Sequence, residues 1–331
     1  MKVLIVKTSS MGDVIHTLPA LTDAMHAIPG IRFDWVVEEG FQEIPKWHPA
    51  VDKVIPVAIR RWRKNIIKTI KSGEWSNYKS QLRRQNYDAV IDAQGLLKSA
   101  LLVTRLAPGK SYGLDKNSAR EPLAAHFYDH PVAVAKQQHA VERVRQLFAA
   151  ALGYNLEDTR GDFAIRDHFK VEAADSPYLV FQHSTTRFDK HWPEVYWQEL
   201  ISQAAESGWK IKLPWGNPTE KERAERLASI HDNAEVLPKL SLAEVANVLA
   251  GASACVSVDT GLSHLAAALD RPNVILFGPT DPGLVGGYGL DQLCLEASKQ
   301  PENNSLVEPA IFAPLTPAIV WSNLSSLLKK S

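Results

Sequence analysis

The chain has 331 residues, of which 45% are hydrophobic and 22% charged, so it can bury substantial cores and is not intrinsically disordered. Its 37 basic and 37 acidic residues cancel, and its two cysteines suggest neither a disulfide framework nor a zinc site. The length suggests about two domains, and no apolar run approaches the ~20 residues that span a bilayer. We therefore expect a soluble, cytoplasmic protein.

Strand and helix patterns alternate along the first half of the chain. Apolar, β-branched runs predict four strands, at 2–7, 33–37, 54–57 and 88–92. Amphipathic periodicity predicts three helices, at 13–27, 96–106 and 139–152. This alternation is typical of a parallel sheet with helices on both faces.

The second half repeats the alternation. It predicts five strands, at 178–183, 209–213, 234–237, 253–258 and 273–277. Helices are predicted between and after them, at 193–206, 218–230, 241–250, 262–269 and 317–329. A polar, acidic stretch over 158–177 indicates the junction. We predict an α/β protein of two Rossmann-like domains, 1–165 and 176–310, facing each other across a cleft, with a terminal segment, 311–331, that packs back on the first domain.

The segment 60–84 concentrates positive charge in an otherwise neutral chain. Nine basic residues stand against one acid, Glu74, and tryptophans and isoleucines are interleaved with them. A basic helix that carries apolar side chains can lie on anionic lipid headgroups or hold an anionic substrate. A solvated charged face is the common alternative. Local concentration favours an anionic partner, and nucleic acid is disfavoured because no recognised binding motif accompanies the segment.

The stretch 256–264 is the most informative part of the sequence. A β-branched strand ends at Asp259, passes through Thr260 and Gly261, and enters an Ala/Leu-rich helix that contains His264. The backbone N–H groups of the first helical turn and the positive end of the helix dipole favour a phosphate there. An ordinary strand-to-helix turn explains this stretch equally well when it is considered alone.

Polar residues follow the other predicted strands of the second domain. Thr185, Thr186 and Lys190 follow the first of them and can hold a diphosphate. Glu220 follows the second and can accept ribose hydroxyls, and Leu240 follows the third and can contact an adenine. The sequence contains neither a Gly-x-Gly-x-x-Gly nor a P-loop motif, which argues against a dehydrogenase and an NTPase. It also contains no Asp-x-Asp pair, so we expect Lys190 and the helix N-terminus, not a metal, to neutralise a diphosphate.

Asp13 begins the first helix of the chain, after the loop Lys7-Thr8-Ser9-Ser10-Met11-Gly12. Acids are common in first helical turns because the helix dipole favours them. The functional alternative is a general base that removes a proton from an acceptor hydroxyl. Position alone supports the two interpretations equally.

Several of these segments together resemble lipopolysaccharide heptosyltransferases. The resemblance lies in the loop that leads to Asp13, Ala93-Gln94-Gly95-Leu96, Lys190-His191-Trp192-Pro193, Leu213-Pro214-Trp215-Gly216, Asp259-Thr260-Gly261-Leu262-Ser263-His264 and Gly278-Pro279-Thr280-Asp281-Pro282. It spans nearly the whole chain. The cluster Arg60-Arg61-Trp62-Arg63-Lys64 favours, within the family, the enzyme that adds the first heptose.

The resemblance implies a GT-B fold and inverting, metal-independent transfer of L-glycero-D-manno-heptose from ADP-heptose to the Kdo of Kdo-lipid A, in the lipopolysaccharide inner core. It implies no cofactor, and a peripheral position on the cytoplasmic face of the inner membrane. Asp13 would be the catalytic base. The donor-binding residues implied are Thr185, Thr186, Lys190, Glu220, Leu240, Asp259, Thr260, Gly261 and His264. The expected acceptor-binding residues are Arg60, Arg61, Arg63, Lys64, Lys98 and Arg120.

Three other functions stay open at this point. A nucleotide-sugar epimerase with paired domains would need no lipid acceptor. A non-catalytic nucleotide-binding module would dock on membranes through residues 60–84 and bind without turnover. A heptosyltransferase that adds the second heptose would differ only in its acceptor, and the basic cluster is the sequence feature that disfavours it.

Overall fold

The computed structural model describes residues 1–171, 176–303 and 305–329. The chain divides into two compact units, Met1–Ile165 and Arg166–Ser331. Part of the predicted junction (residues 172–175), residue 304 of the predicted second domain and the last two residues of the predicted terminal segment lie outside the described residues.

The first unit is built on a six-stranded parallel sheet. Its strands are β1 (Lys2–Val6), β2 (Arg32–Glu38), β3 (Val51–Val57), β4 (Ala89–Asp92), β5 (Ser111–Leu114) and β6 (His130–Val132). Their order in the sheet is β3-β2-β1-β4-β5-β6. The central strand β1 is almost wholly apolar and buried, as a strand covered on both faces must be. The four predicted strands are confirmed, whereas β5 and β6 were not predicted.

Seven α-helices accompany this sheet: α1 (Met11–Ile15), α2 (Leu18–Ala27), α3 (Ile59–Trp62), α4 (Ile66–Lys71), α5 (Glu74–Leu82), α6 (Leu97–Leu102) and α7 (Ala140–Leu152). The single helix predicted over 13–27 is wrong, because a break at Thr17 separates α1 from α2. Pro19 lies in the first turn of α2, where its missing N–H costs nothing. The basic segment 60–84 forms the three short helices α3, α4 and α5.

A buried histidine fixes the turn before β3. The backbone N–H of Ala50 donates to Nδ1 of His48 over 3.2 Å, and Nε2 lies 2.9 Å from Oγ1 of Thr22. Nδ1 must therefore be unprotonated and Nε2 the donor. Burial lowers the pKa of His48 to about 3. The first unit consequently holds an imidazole that is neutral when folded.

The second unit has a sheet of the same kind. Its strands are β7 (Tyr178–Gln182), β8 (Lys210–Leu213), β9 (Ala234–Val236), β10 (Ala254–Val258), β11 (Asn273–Phe277) and β12 (Gln292–Glu296). They are parallel, in the order β12-β11-β10-β7-β8-β9. The five predicted strands are confirmed, and β12 was not predicted.

Among its described residues, the second unit has six α-helices: α8 (Glu194–Glu206), α9 (Pro218–Ala228), α10 (Leu242–Ala250), α11 (Gly261–Ala268), α12 (Pro282–Val285) and α13 (Pro317–Leu328). Val320, Leu324 and Leu327 of α13 lie in the core of this unit, and α13 packs against α8, β10 and β11. The apolar face of α13 is thus used within the second unit, and the expected packing of the terminal segment on the first domain stays a prediction.

Candidate functional site

Strand order places a binding crevice at one point of each sheet. In the first unit the chain runs from β1 outward to β2 and β3 on one side, and from β4 outward to β5 and β6 on the other. The loops that follow the adjacent strands β1 and β4 therefore diverge, and ligands of open parallel sheets bind between such loops. In the second unit the corresponding pair is β7 and β10. Both sets of residues singled out by the sequence, around Asp13 and around Asp259, follow strands of these pairs.

The loop after β1 is held by a side chain from the loop after β4. Oε1 of Gln94 accepts hydrogen bonds from the backbone N–H of Thr8 at 2.8 Å, from the hydroxyl of Thr8 at 3.1 Å and from the backbone N–H of Ser9 at 3.1 Å. Nζ of Lys7 donates to the carbonyl oxygen of Ala93 over 2.8 Å. The loop that precedes Asp13 is therefore anchored to the turn after β4.

Asp13 occupies the first turn of α1 and is used structurally there. Its Oδ2 accepts hydrogen bonds from the backbone N–H and the hydroxyl of Ser10, both over 2.8 Å. Its Oδ1 lies 3.8 Å from Nζ of Lys7, and 44% of the side chain is exposed. The carboxylate thus caps the helix through one oxygen and remains accessible at the end of β1. The capping contact agrees with the structural alternative, and the catalytic role stays a prediction.

A buried acid shapes the turn that carries Gln94. Asp92, the last residue of β4, accepts hydrogen bonds from the backbone N–H groups of Gln94 and Gly95 and from the hydroxyls of Ser99 and Thr104, all between 2.9 and 3.1 Å. Gly95 has φ +64°, a conformation that favours glycine. Burial raises the pKa of Asp92, and the four hydrogen bonds act in the opposite direction. Asp92 and Gln94 were not assigned a role from the sequence, although the resemblance included this turn.

Three of the expected acceptor-binding residues lie near the carboxyl ends of β2 and β4. Glu38 ends β2 and accepts a hydrogen bond from the backbone N–H of Arg60 over 3.2 Å. Burial raises the pKa of Glu38, and the charge of the exposed Lys98 opposes that rise. The backbone nitrogen of Arg120 lies beside Gly95, 3.8 Å from where a Cβ on that glycine would stand. Arg60 therefore lies at the end of β2, and Lys98 and Arg120 lie near the loop after β4, at the same edge of the sheet.

The remaining three expected acceptor-binding residues differ in environment. The guanidinium of Arg61 forms ion pairs with Glu39 at 3.1 Å and with Glu74 at 2.8 Å. Its charge is already compensated, so an anionic ligand would have to compete with two carboxylates. Arg63 and Lys64 are exposed in the turn between α3 and α4. Their assignment stays a prediction from the sequence.

The second unit gathers a lysine, an aspartate and a threonine at its switch point. Nζ of Lys190 lies 2.5 Å from Oδ2 of Asp259, and that same oxygen accepts a hydrogen bond from the hydroxyl of Thr280 over 2.7 Å. The side chains of Lys190 and Asp259 are only 17% and 8% exposed. Thr185 donates to the carbonyl oxygen of Asp259 over 3.2 Å. Asp259 thus holds the ammonium of Lys190 in place, and Thr280, to which the sequence analysis gave no role, orients the carboxylate.

Helix α11 begins beside this cluster. Thr260 is its N-cap residue, and Gly261 opens its first turn directly after β10. The carbonyl oxygen of Thr260 accepts hydrogen bonds from the backbone N–H and the hydroxyl of Ser263. His264 is buried, whereas Thr186 is exposed in the loop after β7. The N-terminus of α11 and the ammonium of Lys190 together favour an anion at this end of β10.

The carboxylate of Glu220 is hydrogen-bonded to residues of the loop that precedes it. Its two carboxylate oxygens accept hydrogen bonds from the backbone N–H of Gly216 at 2.6 Å and from Nδ2 of Asn217 at 2.7 Å. Trp215 donates to the carbonyl oxygen of Leu237 over 2.7 Å and lies 4.9 Å from Nζ of Lys239. These contacts join the loop after β8 to the loop after β9. Leu240, in the loop after β9, is partly exposed.

Neither a metal cluster nor a membrane span is found in the part of the chain that the structure describes. Within those ranges, no group of three or more His, Cys, Asp or Glu side chains is placed to hold a metal ion. Of the helices described, none combines the length and the apolar character that crossing a bilayer requires.

Comparison with known proteins identifies the family. The profile of glycosyltransferase family 9 (heptosyltransferase) matches residues 75–315, well over half of the chain. The chain belongs to glycosyltransferase family 9. This match includes the second-unit cluster and the turn of Gln94, and it establishes the protein as a glycosyltransferase.

Among individual family 9 proteins, the chain is similar to lipopolysaccharide heptosyltransferase 1 of Escherichia coli (strain K12). The two are 62% identical over 302 residues, which cover 91% of this chain and 95% of that protein. Lipopolysaccharide heptosyltransferase 2 of the same strain is 24% identical over 304 residues, which cover 85% of this chain and 84% of that protein. The likeness to the first enzyme type is therefore much stronger.

Two solved heptosyltransferase structures share the fold. E. coli heptosyltransferase WaaC with ADP has a TM-score of 0.92 and 57% identity, covering 99% of this chain and 100% of that one. E. coli heptosyltransferase WaaC with ADP-2-deoxy-2-fluoro heptose has a TM-score of 0.89 and 57% identity, covering 98% and 99%. The α/β, GT-B-type architecture expected from the sequence is confirmed.

Proposed function

We propose that the protein transfers L-glycero-D-manno-heptose from ADP-heptose to the Kdo residue of Kdo-lipid A, the first heptose of the lipopolysaccharide inner core. The observation that carries the proposal is the cluster of Lys190, Asp259 and Thr280 beside the start of α11. It supplies a positive charge and a helix N-terminus to a diphosphate at the switch point of a sheet. The 62% identity to a heptosyltransferase 1 supports the choice of acceptor.

The donor binds to the second unit in this proposal. The diphosphate of ADP-heptose lies against Lys190, the N-terminus of α11 and the hydroxyls of Thr185 and Thr186. Asp259 contributes by holding Lys190, since a carboxylate in direct contact with phosphate would repel it. Glu220 shares its carboxylate between its own loop and the ribose, and Leu240 contacts the adenine. Gly261 allows close approach to the backbone, and His264 completes the phosphate side from α11.

Asp13 is the general base in this proposal. The carboxylate takes the proton of the acceptor hydroxyl as that oxygen attacks the anomeric carbon on the face opposite ADP. The C–O bond to ADP breaks and the configuration inverts, through an oxocarbenium-like transition state like that of inverting glycosidases. Lys190 and the helix N-terminus stabilise the negative charge that develops on ADP. The reaction then needs neither a metal nor a cofactor.

The acceptor binds to the first unit through its carboxylates and phosphates. Arg60, Lys98 and Arg120, which lie near the carboxyl ends of β2 and β4, are the primary contacts, and Arg61, Arg63 and Lys64 extend the basic surface. Guanidinium groups match the geometry of carboxylate and phosphate. A lipid-borne acceptor places the enzyme peripherally on the cytoplasmic face of the inner membrane.

The test is a transfer assay with purified protein, ADP-heptose and Kdo-bearing lipid A in the presence of EDTA, read by product mass. We expect the addition of a single heptose that requires the acceptor. Product from an acceptor that already carries one heptose, with none from Kdo-lipid A, would instead identify the second-heptose enzyme. Conversion of ADP-heptose without acceptor would indicate an epimerase, and donor binding without turnover a binding module.

A further inference from the structure

Helix α4 presents an apolar face to solvent. Ile66, Ile67 and Ile70 are 62%, 70% and 63% exposed, although isoleucine is one of the most frequently buried residues. Single exposed apolar residues are ordinary, but three on a helix of six residues form a contiguous patch. Such patches on a folded surface usually mark a contact with another molecule.

The exposure is not caused by poor attachment of the helix. The side chain of Asn65 accepts a hydrogen bond from the backbone N–H of Lys68 over 3.0 Å, and the hydroxyl of Thr69 donates to the carbonyl oxygen of Asn65 over 3.0 Å. Thr69 is buried, so the side of α4 that carries Thr69 faces the protein. Next to α4, the rings of Trp62 and Trp75 pack together at 5.8 Å. The helix is thus held with its isoleucines pointing outward.

Positive charge surrounds the patch. Arg63, Lys64, Lys68 and Lys71 are all exposed, and residues 62–73 contain no acid. The first acid that follows, Glu74, is already bound by Arg61 and by the indole of Trp62. An apolar face bordered by exposed basic side chains is complementary to an anionic bilayer, where acyl chains lie beneath negative headgroups.

The geometry points to α4 as a membrane-docking element, in which Ile66, Ile67 and Ile70 enter the acyl boundary of an anionic bilayer while Lys68 and Lys71 reach the headgroups. This inference rests on the proposed function, because it places the acceptor-binding unit on the membrane that carries the acceptor. Lysine side chains accommodate this position by extending their charged ends toward water.

The direct test is binding to vesicles. Wild-type protein and the triple variant Ile66→Ser/Ile67→Ser/Ile70→Ser are sedimented with vesicles of 30% phosphatidylglycerol in phosphatidylcholine. Since burial of one such side chain changes partitioning roughly tenfold, we expect the variant to bind about 100-fold more weakly even with partial insertion. The matched control is Leu123→Ser, because Leu123 is also 62% exposed on the first unit. The control should bind like the wild type.

A charge variant and an activity measurement separate this inference from the proposed function. Lys68→Gln and Lys71→Gln should each weaken binding about fivefold, and the wild type should lose most of its binding to pure phosphatidylcholine vesicles. The isoleucine variant should keep wild-type turnover on a detergent-free, deacylated Kdo acceptor and lose it on acceptor embedded in vesicles. Absence of wild-type turnover on both acceptors would contradict the proposed function and would leave the docking inference unaffected.

Equal vesicle binding by wild type and triple variant would overturn the docking inference. A wild-type dimer that dissociates in the triple variant by analytical ultracentrifugation, with no vesicle binding by either, would assign the patch to a second copy of the chain instead. Far-UV circular dichroism and the Tm of the variant verify folding. If the triple variant is unfolded, the single variant Ile67→Ser, at the most exposed of the three positions, should still bind about tenfold more weakly.

Discussion

Replacing Lys190 by methionine should separate two roles of this lysine. The ammonium is 2.5 Å from Oδ2 of Asp259, and both side chains are largely buried. Methionine keeps much of the volume but removes the charge. The substitution therefore leaves Asp259 buried with Thr280 as its remaining side-chain donor, and it removes the cation that we propose binds the donor diphosphate.

The two effects have different sizes. Breaking a buried ion pair by removing one partner costs roughly 3 kcal/mol, which would lower the Tm of a unit of this size by about 6–12 °C. Loss of a charge-assisted hydrogen bond to phosphate costs about 1.5–3 kcal/mol, or about 10- to 150-fold in the Kd for ADP. Thermal unfolding followed by circular dichroism and titration calorimetry with ADP measure these separately.

The double variant Lys190→Met/Asp259→Asn distinguishes them. It removes both charges, so much of the lost stability should return, whereas affinity for ADP should stay low. Lys299→Gln is the matched control, because Lys299 forms a 2.6 Å pair with Glu296 but is 71% exposed. Exposed pairs contribute little, so stability and ADP affinity should hardly change.

A Kd for ADP within twofold of the wild type in Lys190→Met would refute the assignment of this lysine to the diphosphate. Recovery of ADP affinity in the double variant would show that Lys190 acts on the donor only by maintaining the fold.

Three further predictions concern the first unit. Asp13→Asn should lower kcat about 10²- to 10⁴-fold with the Kd for ADP unchanged, and turnover within a few-fold of wild type would exclude a general base. Because the folded-state pKa of His48 lies below its ordinary value of 6.5, its contribution to stability is complete above that pH and is lost as pH falls toward 3. Urea unfolding at pH 7 and 5 should show a loss of stability that is smaller by about 2 kcal/mol in His48→Gln than in the wild type, and equal losses would contradict the assignment. Gly113→Ala should destabilise the protein by about 1–3 kcal/mol, because the new Cβ would lie 2.3 Å from the ring of Tyr128; Gly40→Ala, which meets no atom within 4 Å, should be nearly neutral.

Local signals in the sequence predicted the long elements well. The helix predicted over 139–152 is α7, which begins after His139, whose ring accepts the N–H of Val141, and ends at Gly153 with φ +74°. Capping and termination depend on residues within one turn of the helix, so they are visible in the sequence. The strands β5, β6 and β12 were missed because they are short or weakly patterned and form by pairing with distant neighbours.

The candidate site was predicted in part. The sequence located Asp13 at the start of the first helix, and the structure places it in the first turn of α1. It also located Lys190 and Asp259 after the strands that are β7 and β10 in the structure. It did not predict that Gln94 anchors the loop of residues 8 and 9 across more than 80 positions of the chain, or that Thr280 binds Asp259. Neither contact leaves a periodic or compositional signal. The isoleucines of α4 can be read from the sequence, but their exposure to solvent is known only from the structure.

Sequence patterns were sufficient to predict the types of the main elements, the alternation that makes both sheets parallel, and the motifs of the heptosyltransferase family. These follow from propensity, periodicity and residue identity, which act over a few neighbouring positions. The folded structure was needed to establish the strand orders, and therefore which loops share a switch point. It also decided that Lys190 is paired with Asp259, that Asp92 is buried, and that α4 turns its isoleucines to solvent. Pairing and burial depend on distances between residues far apart in the chain, and those distances are set when the sheets assemble.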